Sequence, residues 1–228
     1  MELFITGTDT GVGKTFITAG LAAAFSAEGA KVGVYKPAQT GSPKPTYSED
    51  LEYVKKHVPS VITKASYILP TPAAPMVSAD VELEKVNIDK NVIKKDFEEM
   101  KNICDVVLVE GAGGLMVPFA EDFLAADIPK MLNIPILIVV RPDLGTINHT
   151  LLSVEYAKKK GLKIAGIVIN NYPEGTKDIA TKTAPMIIQK FSGIDYIPII
   201  PKNKNPFGMG GVELVKANIN TARLLDKK

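Results

Sequence analysis

Residues suited to holding a phosphorylated ligand gather near the N-terminus. There Gly7-Thr8-Asp9-Thr10-Gly11-Val12-Gly13-Lys14-Thr15 follows the apolar run Leu3-Phe4-Ile5, and Phe16 opens a helix-compatible segment. Small residues let successive backbone N–H groups converge on an anion. The helix N-terminus that follows adds the positive end of its dipole. At this spacing Lys14 can reach the β- and γ-phosphates of a nucleotide, and the Thr15 hydroxyl can ligate Mg²⁺. The run departs from G-x-x-x-x-G-K-[ST] at one place: Thr8 stands where the first glycine is expected, and Gly7 comes one position early.

Other chemistry-bearing residues lie further along. Glu110 closes the apolar run Asp105-Val-Val-Leu-Val-Glu110 and is followed at once by Gly111-Ala112-Gly113-Gly114. A carboxylate at that place suits a Mg²⁺ ion shared with phosphates, and Thr15, Glu110 and Asp50 form a candidate oxygen set. Lys36, beside Pro37, can neutralise charge that develops in phosphoryl transfer. Thr40 and Ser42 follow it as hydrogen-bond donors for an anion. Leu144-Gly145-Thr146-Ile147-Asn148-His149 reads as a helix start with Thr146 as its N-cap, and the N–H groups exposed there suit a carboxylate. His57 and His149 have no Cys or His neighbours at metal-ligand spacing. No Ser-His-Asp set and no G-x-S-x-G elbow is present.

These residues need a scaffold that brings them together. Apolar runs predict strands over 2–6, 31–36, 105–110, 136–140, 163–170 and 195–199, with Pro37 expected to stop the second. Periodicity and capping signals predict helices over 14–28, from Ser48 to His57, and over 88–103, 123–132, 146–160, 177–190 and 212–225. The 88–103 helix is expected to bury Ile88, Val92, Phe97 and Met100, and Pro185 is expected to kink or split the 177–190 helix. Residues 38–47 read as a loop, and 66–79, with Pro70, Pro72 and Pro75, as irregular. Another loop is expected from 200 to Gly211. The β-α alternation and the apolar strands imply an α/β fold with a mostly parallel sheet covered by helices on both faces. Ligands of such sheets sit beyond the carboxyl ends of the strands. Lys14, Thr15, Lys36, Glu110, Asn148 and Asn170 are therefore expected to converge.

Composition narrows the class. The chain has 228 residues, 46% hydrophobic and 23% charged, which fits one α/β domain over 1–228. A net charge of +2, with Arg141 and Arg223 as the only arginines, does not describe a nucleic-acid surface. Cys104 stands alone, which agrees with a reducing compartment. No signal-like or membrane-length apolar run is seen, so a cytoplasmic protein is expected.

Taken together, the loop at 7–15, Tyr35-Lys36-Pro37 with Thr40-Gly41, Val109-Glu110-Gly111-Ala112-Gly113-Gly114, Leu144-Gly145-Thr146-Ile147-Asn148-His149 and Asn170 resemble the dethiobiotin synthetase family. Thr-Gly-Thr-Asp-Thr before Val-Gly-Lys-Thr explains the missing glycine at position 8. The resemblance implies a P-loop NTPase-like fold of three layers and a homodimer with its site at the subunit interface. It also implies ligation of 7,8-diaminononanoate with CO₂ or bicarbonate, ATP as co-substrate and Mg²⁺ as cofactor. Lys14 and Lys36 would be catalytic, and Thr15, Asp50 and Glu110 would hold the metal. Gly11, Val12, Gly13, Lys14, Thr15 and Phe16, with Gly111, Ala112 and Gly113, would surround the nucleotide. Asn170 would read the adenine, with Pro198, Ile199 and Ile200 close to the base. Thr40 would contact the substrate, and Gly145, Thr146, Ile147 and Asn148 would hold its carboxylate from the neighbouring subunit. The rival reading is a P-loop switch ATPase of the partitioning or division-site kind, which often carries a second lysine where this chain has Asp9.

Overall fold

The computed structural model describes residues 1–82, 85–203 and 210–225. In chain order the elements are β1 (Glu2–Gly7), α1 (Lys14–Ala27), β2 (Val32–Thr40), α2 (Glu49–His57), β3 (Ile62–Leu69), α3 (Pro75–Val81) and α4 (Lys90–Ile103). There follow β4 (Val106–Gly114), the small hairpin β5 (Pro118–Ala120) and β6 (Phe123–Leu124), α5 (Asp127–Leu132), β7 (Ile136–Val140) and α6 (Thr146–Lys160). The chain continues with β8 (Ile164–Tyr172), α7 (Ile179–Ser192), β9 (Ile199–Pro201), α8 (Gly210–Asn218) and α9 (Thr221–Leu225). Seven strands form one sheet in the order β3-β2-β4-β1-β7-β8-β9. Every neighbouring pair in it is parallel.

The apolar strands explain the layers. Side chains alternate across a strand, and the sheet divides its residues accordingly. Phe4, Val107, Val109, Ile136, Ile138 and Val140 join a core with Ile93, Phe97, Ile128, Val154 and Ile188 from α4 to α7. Leu3, Ile5, Val106, Leu108, Leu137 and Val139 join the opposite core with Ile17, Leu21, Val54 and Val215 from α1, α2 and α8. Gly20 lets α1 and α8 meet closely, since a Cβ there would lie 2.1 Å from the Val215 Cβ. The three-layer P-loop NTPase-like arrangement expected from the sequence is the one found.

Several local expectations are corrected. Pro37 does not end β2. The ladder to β4 stops at Tyr35, but the ladder to β3 passes over Pro37 and runs on to Thr40 opposite Leu69. Proline has no N–H to donate, yet a strand continues where one neighbour still pairs with the residues on either side. Residues 66–79 are not irregular throughout: β3 extends to Leu69, and Pro75 occupies the first turn of α3, where its fixed φ suits a helix start. On α4 the buried face is Ile93, Phe97 and Met100, and Val92 is exposed. The 123–132 helix is a short strand followed by α5, with the Asp127 carboxylate accepting from the Leu124 N–H at 2.8 Å. Pro185 lies within α7, which remains one element. β9 begins only at Ile199. The C-terminal helix is two, because the Tyr196 hydroxyl accepts from the Asn220 N–H at 2.6 Å and donates to its carbonyl at 3.0 Å. Of the expected 200–211 loop, residues 204–209 lie outside the described residues, while Ile200 and Pro201 belong to β9 and Gly210 and Gly211 to α8.

Candidate functional site

The loop between β1 and α1 is built around left-handed backbone. Gly11 has φ 73° and Gly13, the N-cap of α1, has φ 96°, conformations that glycine adopts without strain. The Thr8 N–H is tied to the Val139 carbonyl at 3.1 Å. Asp9 pairs through its carboxylate with Arg141 and accepts from the Thr10 N–H at 2.7 Å. The Asp9 backbone carbonyl receives the Lys14 ammonium at 3.2 Å. Arg141, given no catalytic role from the sequence, thus holds the start of the loop.

Lys36, Asp50, Glu110 and Thr15 meet in one cluster, although they come from β2, α2, β4 and α1. Lys36 Nζ lies 2.5 Å from Asp50 Oδ2 and 2.9 Å from Glu110 Oε1. Its third contact is the Gly111 carbonyl at 3.4 Å. The Thr15 hydroxyl lies 2.9 Å from Asp50 Oδ1 and 2.8 Å from Glu110 Oε1, so its single proton can serve either carboxylate. Ser48 places Asp50 by capping α2, its hydroxyl accepting from the Leu51 N–H at 3.3 Å and donating to Gln39 at 2.8 Å.

Burial of these charges sets their acidity. Desolvation pulls the Lys14 ammonium below its ordinary pKa, with neighbouring Lys36 acting in the same sense and Glu110, Asp50 and Asp9 opposing. Desolvation acts the same way on Lys36, but the Glu110 and Asp50 carboxylates outweigh it and hold its pKa above the ordinary value. Burial would raise the Asp50 carboxyl; Lys36 and the Thr15 hydroxyl hold it below the usual range. Two lysines of opposite shift therefore face one cavity.

That cavity, of about 650 Å³, is lined by Gly11, Gly13, Lys14, Thr15, Lys36, Thr40, Asp50, Glu110, Ala112 and Gly113. Its far wall is Pro72-Ala73-Ala74-Pro75 with Val117. The proline-rich wall was not foreseen. Its only signal was a proline cluster that read as surface turns. A second cavity, of about 840 Å³, continues past the loop along Gly11, Val12, Gly13, Thr15, Phe16, Asp50 and Asn170. Tyr53, Asn171, Pro173, Lys202 and Asn203 also line it, again without a sequence signal, as do Glu49 and the Arg141-Pro142-Asp143 turn. Lys14, Lys36, Asp50 and Glu110 make the first cavity charged, and the second, with charged groups of both signs in its lining, adds the aromatic rings of Phe16 and Tyr53 and the amides of Asn170, Asn171 and Asn203. Adjacent on the loop, they fit the phosphates and the base of a nucleotide.

Other sequence candidates fall elsewhere. Pro198, Ile199 and Ile200 line neither cavity: the Pro198 carbonyl accepts from the Ile169 N–H at 3.0 Å, and the Ile200 side chain is in the core. Gly111 contributes its carbonyl to Lys36, and a Cβ there would strike Phe4 at 2.8 Å. Gly145, Thr146, Ile147 and Asn148 start α6 but line neither cavity. The N-cap is Gly145, φ 95°, rather than Thr146, whose hydroxyl donates to the Arg141 carbonyl at 2.5 Å. Leu144, just before it, is 87% exposed. Among the described residues no group of three His, Cys, Asp or Glu side chains is placed to hold a metal. Thr15, Asp50 and Glu110 nevertheless give three hard oxygen donors beside a phosphate loop, the kind of set that Mg²⁺ shares with phosphates.

Comparison with known proteins shows what the whole chain is similar to. A family model described as an AAA domain matches residues 1–206. The ATP-dependent dethiobiotin synthetase BioD of Bacillus velezensis is 39% identical over 205 residues, covering 88% of this chain and 86% of the relative. The protein of the same name from Methanococcus vannielii is 36% identical over 220 residues, covering 95% and 99%. Among solved structures, the cell division ATPase MinD of Pyrococcus furiosus superposes with a TM-score of 0.56 at 22% identity, covering 94% of this chain and 95% of that one. A ParA family ATPase from Chlorobium tepidum gives 0.57 at 16%, covering 94% and 90%. At those identities the likeness extends to the fold alone. Similarity over nearly the whole chain, together with the motifs that build both cavities, places this protein in the ATP-dependent dethiobiotin synthetase family.

Proposed function

We propose that this chain joins 7,8-diaminononanoate and CO₂ into the cyclic urea of dethiobiotin at the expense of ATP. The observation that carries the reading is the convergence of Lys14 and Lys36 on one cavity with Thr15, Asp50 and Glu110. One substrate amine attacks CO₂ and, losing a proton, becomes a carbamate. A carbamate oxygen attacks the γ-phosphorus, and the bond to ADP breaks. The second amine then attacks the carbonyl carbon of the mixed anhydride, expels phosphate and closes the ring. The nucleophiles all belong to the substrate, so the protein needs no nucleophile–base pair. Its task is positioning and charge stabilisation.

Lys36 is assigned to the carbamate and the transferring phosphoryl group, and Lys14 to the β- and γ-phosphates with the same carbamate. Mg²⁺, bound through Thr15, Asp50 and Glu110, would neutralise phosphate charge. The loop from Gly11 to Phe16, with Ala112 and Gly113, would enclose the triphosphate. Asn170 and the second cavity would receive the base. Gly111 would act through its carbonyl on Lys36. Thr40 would bond the substrate.

The substrate carboxylate needs an anion site, and the N-terminus of α6 at Gly145–Asn148 presents the positive end of its helix there, although the Thr146 N–H already donates to the Asp143 carbonyl at 3.1 Å. Because that end lines neither cavity of its own chain, the reading takes it from a second copy, in a cytoplasmic homodimer of this one-domain chain.

Incubation with 7,8-diaminononanoate, bicarbonate and Mg²⁺-ATP, with mass detection of the cyclic urea, tests the proposal. Product and ADP in equal amounts are expected. ATP turnover indifferent to the diamine, with flotation on lipid vesicles, would instead favour a switch ATPase.

A further inference from the structure

The end of β8 reaches back to the phosphate loop. Asn170 is buried, and its Nδ2 donates to the Val12 carbonyl at 2.9 Å across 158 positions of sequence. The next residue, Gly13, leaves the room that this amide fills: a Cβ built there would lie 2.1 Å from Asn170 Nδ2. The loop's start is held separately, by the Thr8 bond to Val139 and the Asp9 pair with Arg141. A trans peptide unit is planar, with its C=O and N–H opposed. Fixing the Val12 carbonyl on Asn170 therefore fixes the direction of the Gly13 N–H, one of the donors such a loop offers to phosphate.

We infer that Asn170 is a positioning residue for the phosphate loop: its amide sets the Val12–Gly13 peptide, so phosphate affinity depends on Asn170 even for a ligand without a base. The inference rests on the nucleotide reading and goes beyond the base contact assigned above. A carboxamide has one end for each task, since Nδ2 holds the loop and Oδ1 remains an acceptor for a base amino group. The second cavity is thus tied to the phosphate loop through one side chain.

Two variants separate the roles. Asn170→Ala removes the bond and the bulk, whereas Asn170→Leu keeps bulk and removes the donor. Each is titrated by calorimetry with inorganic tripolyphosphate and with ATP, alongside kcat, KM and a melting curve. Both are expected to bind tripolyphosphate roughly tenfold more weakly than the parent, the scale of one buried carbonyl left unsatisfied. A loss at least as large is expected for ATP, while cooperative melting is kept. Parent-like tripolyphosphate affinity with a loss confined to ATP would overturn the inference and leave Asn170 a base contact only. Retention by Asn170→Leu with loss in Asn170→Ala would overturn it too, since packing rather than the bond would then matter. A parent protein that binds neither ligand would remove the nucleotide reading itself, an outcome visible before any variant is made.

Discussion

Lys36 and the N-terminus of α6 both lie at the carboxyl edge of the same sheet, yet they are built in opposite ways. Lys36 is buried, touches two carboxylates and a carbonyl, and belongs to a cluster drawn from four elements of one chain, its own β2 included. The start of α6 is capped by a glycine, follows a Leu144 that is 87% exposed, and reaches neither cavity. The first region is complete before any ligand arrives. The second is a helix start whose Thr146 N–H donates to the Asp143 carbonyl at 3.1 Å and whose Asn148 side is exposed. In the proposed reaction the two would divide the labour: charge handling needs a dry, preorganised cluster, whereas a distant carboxylate can be met by an exposed helix end from elsewhere.

The comparison can be broken most sharply at Lys36. Lys36→Met is expected to lower kcat by about 10²–10³-fold, the range for removing one preorganised electrostatic donor, while ATP affinity changes little. Steady-state kinetics with separate nucleotide titration checks this, and parent-like turnover would end the catalytic assignment. The same variant leaves Asp50 and Glu110 facing each other without their ammonium, so it is expected to melt earlier when metal-free and to recover with Mg²⁺-ADP.

Next in size is Glu110→Ala. Removing one of the two carboxylates is expected to weaken Mg²⁺-dependent ATP binding by roughly 10–100-fold, on the scale seen when metal-site partners are lost. A calorimetric Mg²⁺ series at fixed ATP measures it, and an unchanged series takes Glu110 out of the metal set.

The α6 side is sharpened by Asn148→Glu, an added charge at the exposed helix end proposed to meet the substrate carboxylate. It is expected to raise KM for the diamino acid about tenfold and leave KM for ATP unchanged, because only the carboxylate meets it. Mixing this variant with Lys36→Met chains distinguishes the two arrangements. With the diamino acid held well below KM, where each variant alone is nearly silent, a composite site between copies returns about a quarter of parent activity, since about half of the dimers are mixed and each has one intact site. If activity does not return, α6 serves its own chain.

The smallest effect is on pH dependence. The folded-state pKa of Asp50 is depressed by Lys36 and Thr15 against the opposing effect of burial. Its stabilising contribution is therefore complete above the ordinary carboxylate value and lost as pH falls through the lower folded value. For Lys36 the shift is upward, so its contribution is complete below the ordinary lysine value and lost as pH rises through the higher folded one. Lys14, shifted downward, acts in the opposite sense. Asp50→Asn is expected to flatten the acid limb of the stability curve by about 1 kcal/mol, the scale of one partly exposed ion pair. Urea unfolding between neutral and acid pH measures the slope.

Much of the charged region was legible in the chain because its signals are local. A glycine-rich turn before Gly-Lys-Thr has few other uses between a strand and a helix. Ser48 before Glu49 and Asp50 announces a cap, and Glu110 ends an apolar run next to small residues. The proline-rich wall was not legible. Pro70, Pro72 and Pro75 read as turns, although Pro75 starts a helix and the segment closes the cavity. Beyond the loop itself, the second cavity was legible at Phe16, Asp50 and Asn170. Pro198 to Ile200 belong to the β8–β9 ladder and core, and the cavity takes Tyr53, Lys202 and Asn203 instead. No spacing rule links residues so far apart.

The sequence by itself determined the strands buried on both faces, the left-handed glycines of the phosphate loop and the residue types of the charged cluster, because each depends on neighbours within a few positions. Only the tertiary structure decided that Lys36 would stand between Asp50 and Glu110, that Arg141 and Asn170 would hold the two ends of one loop, and that the α6 terminus would stay outside both cavities. Those relations depend on strand order and register, which bring together side chains that the chain alone keeps far apart.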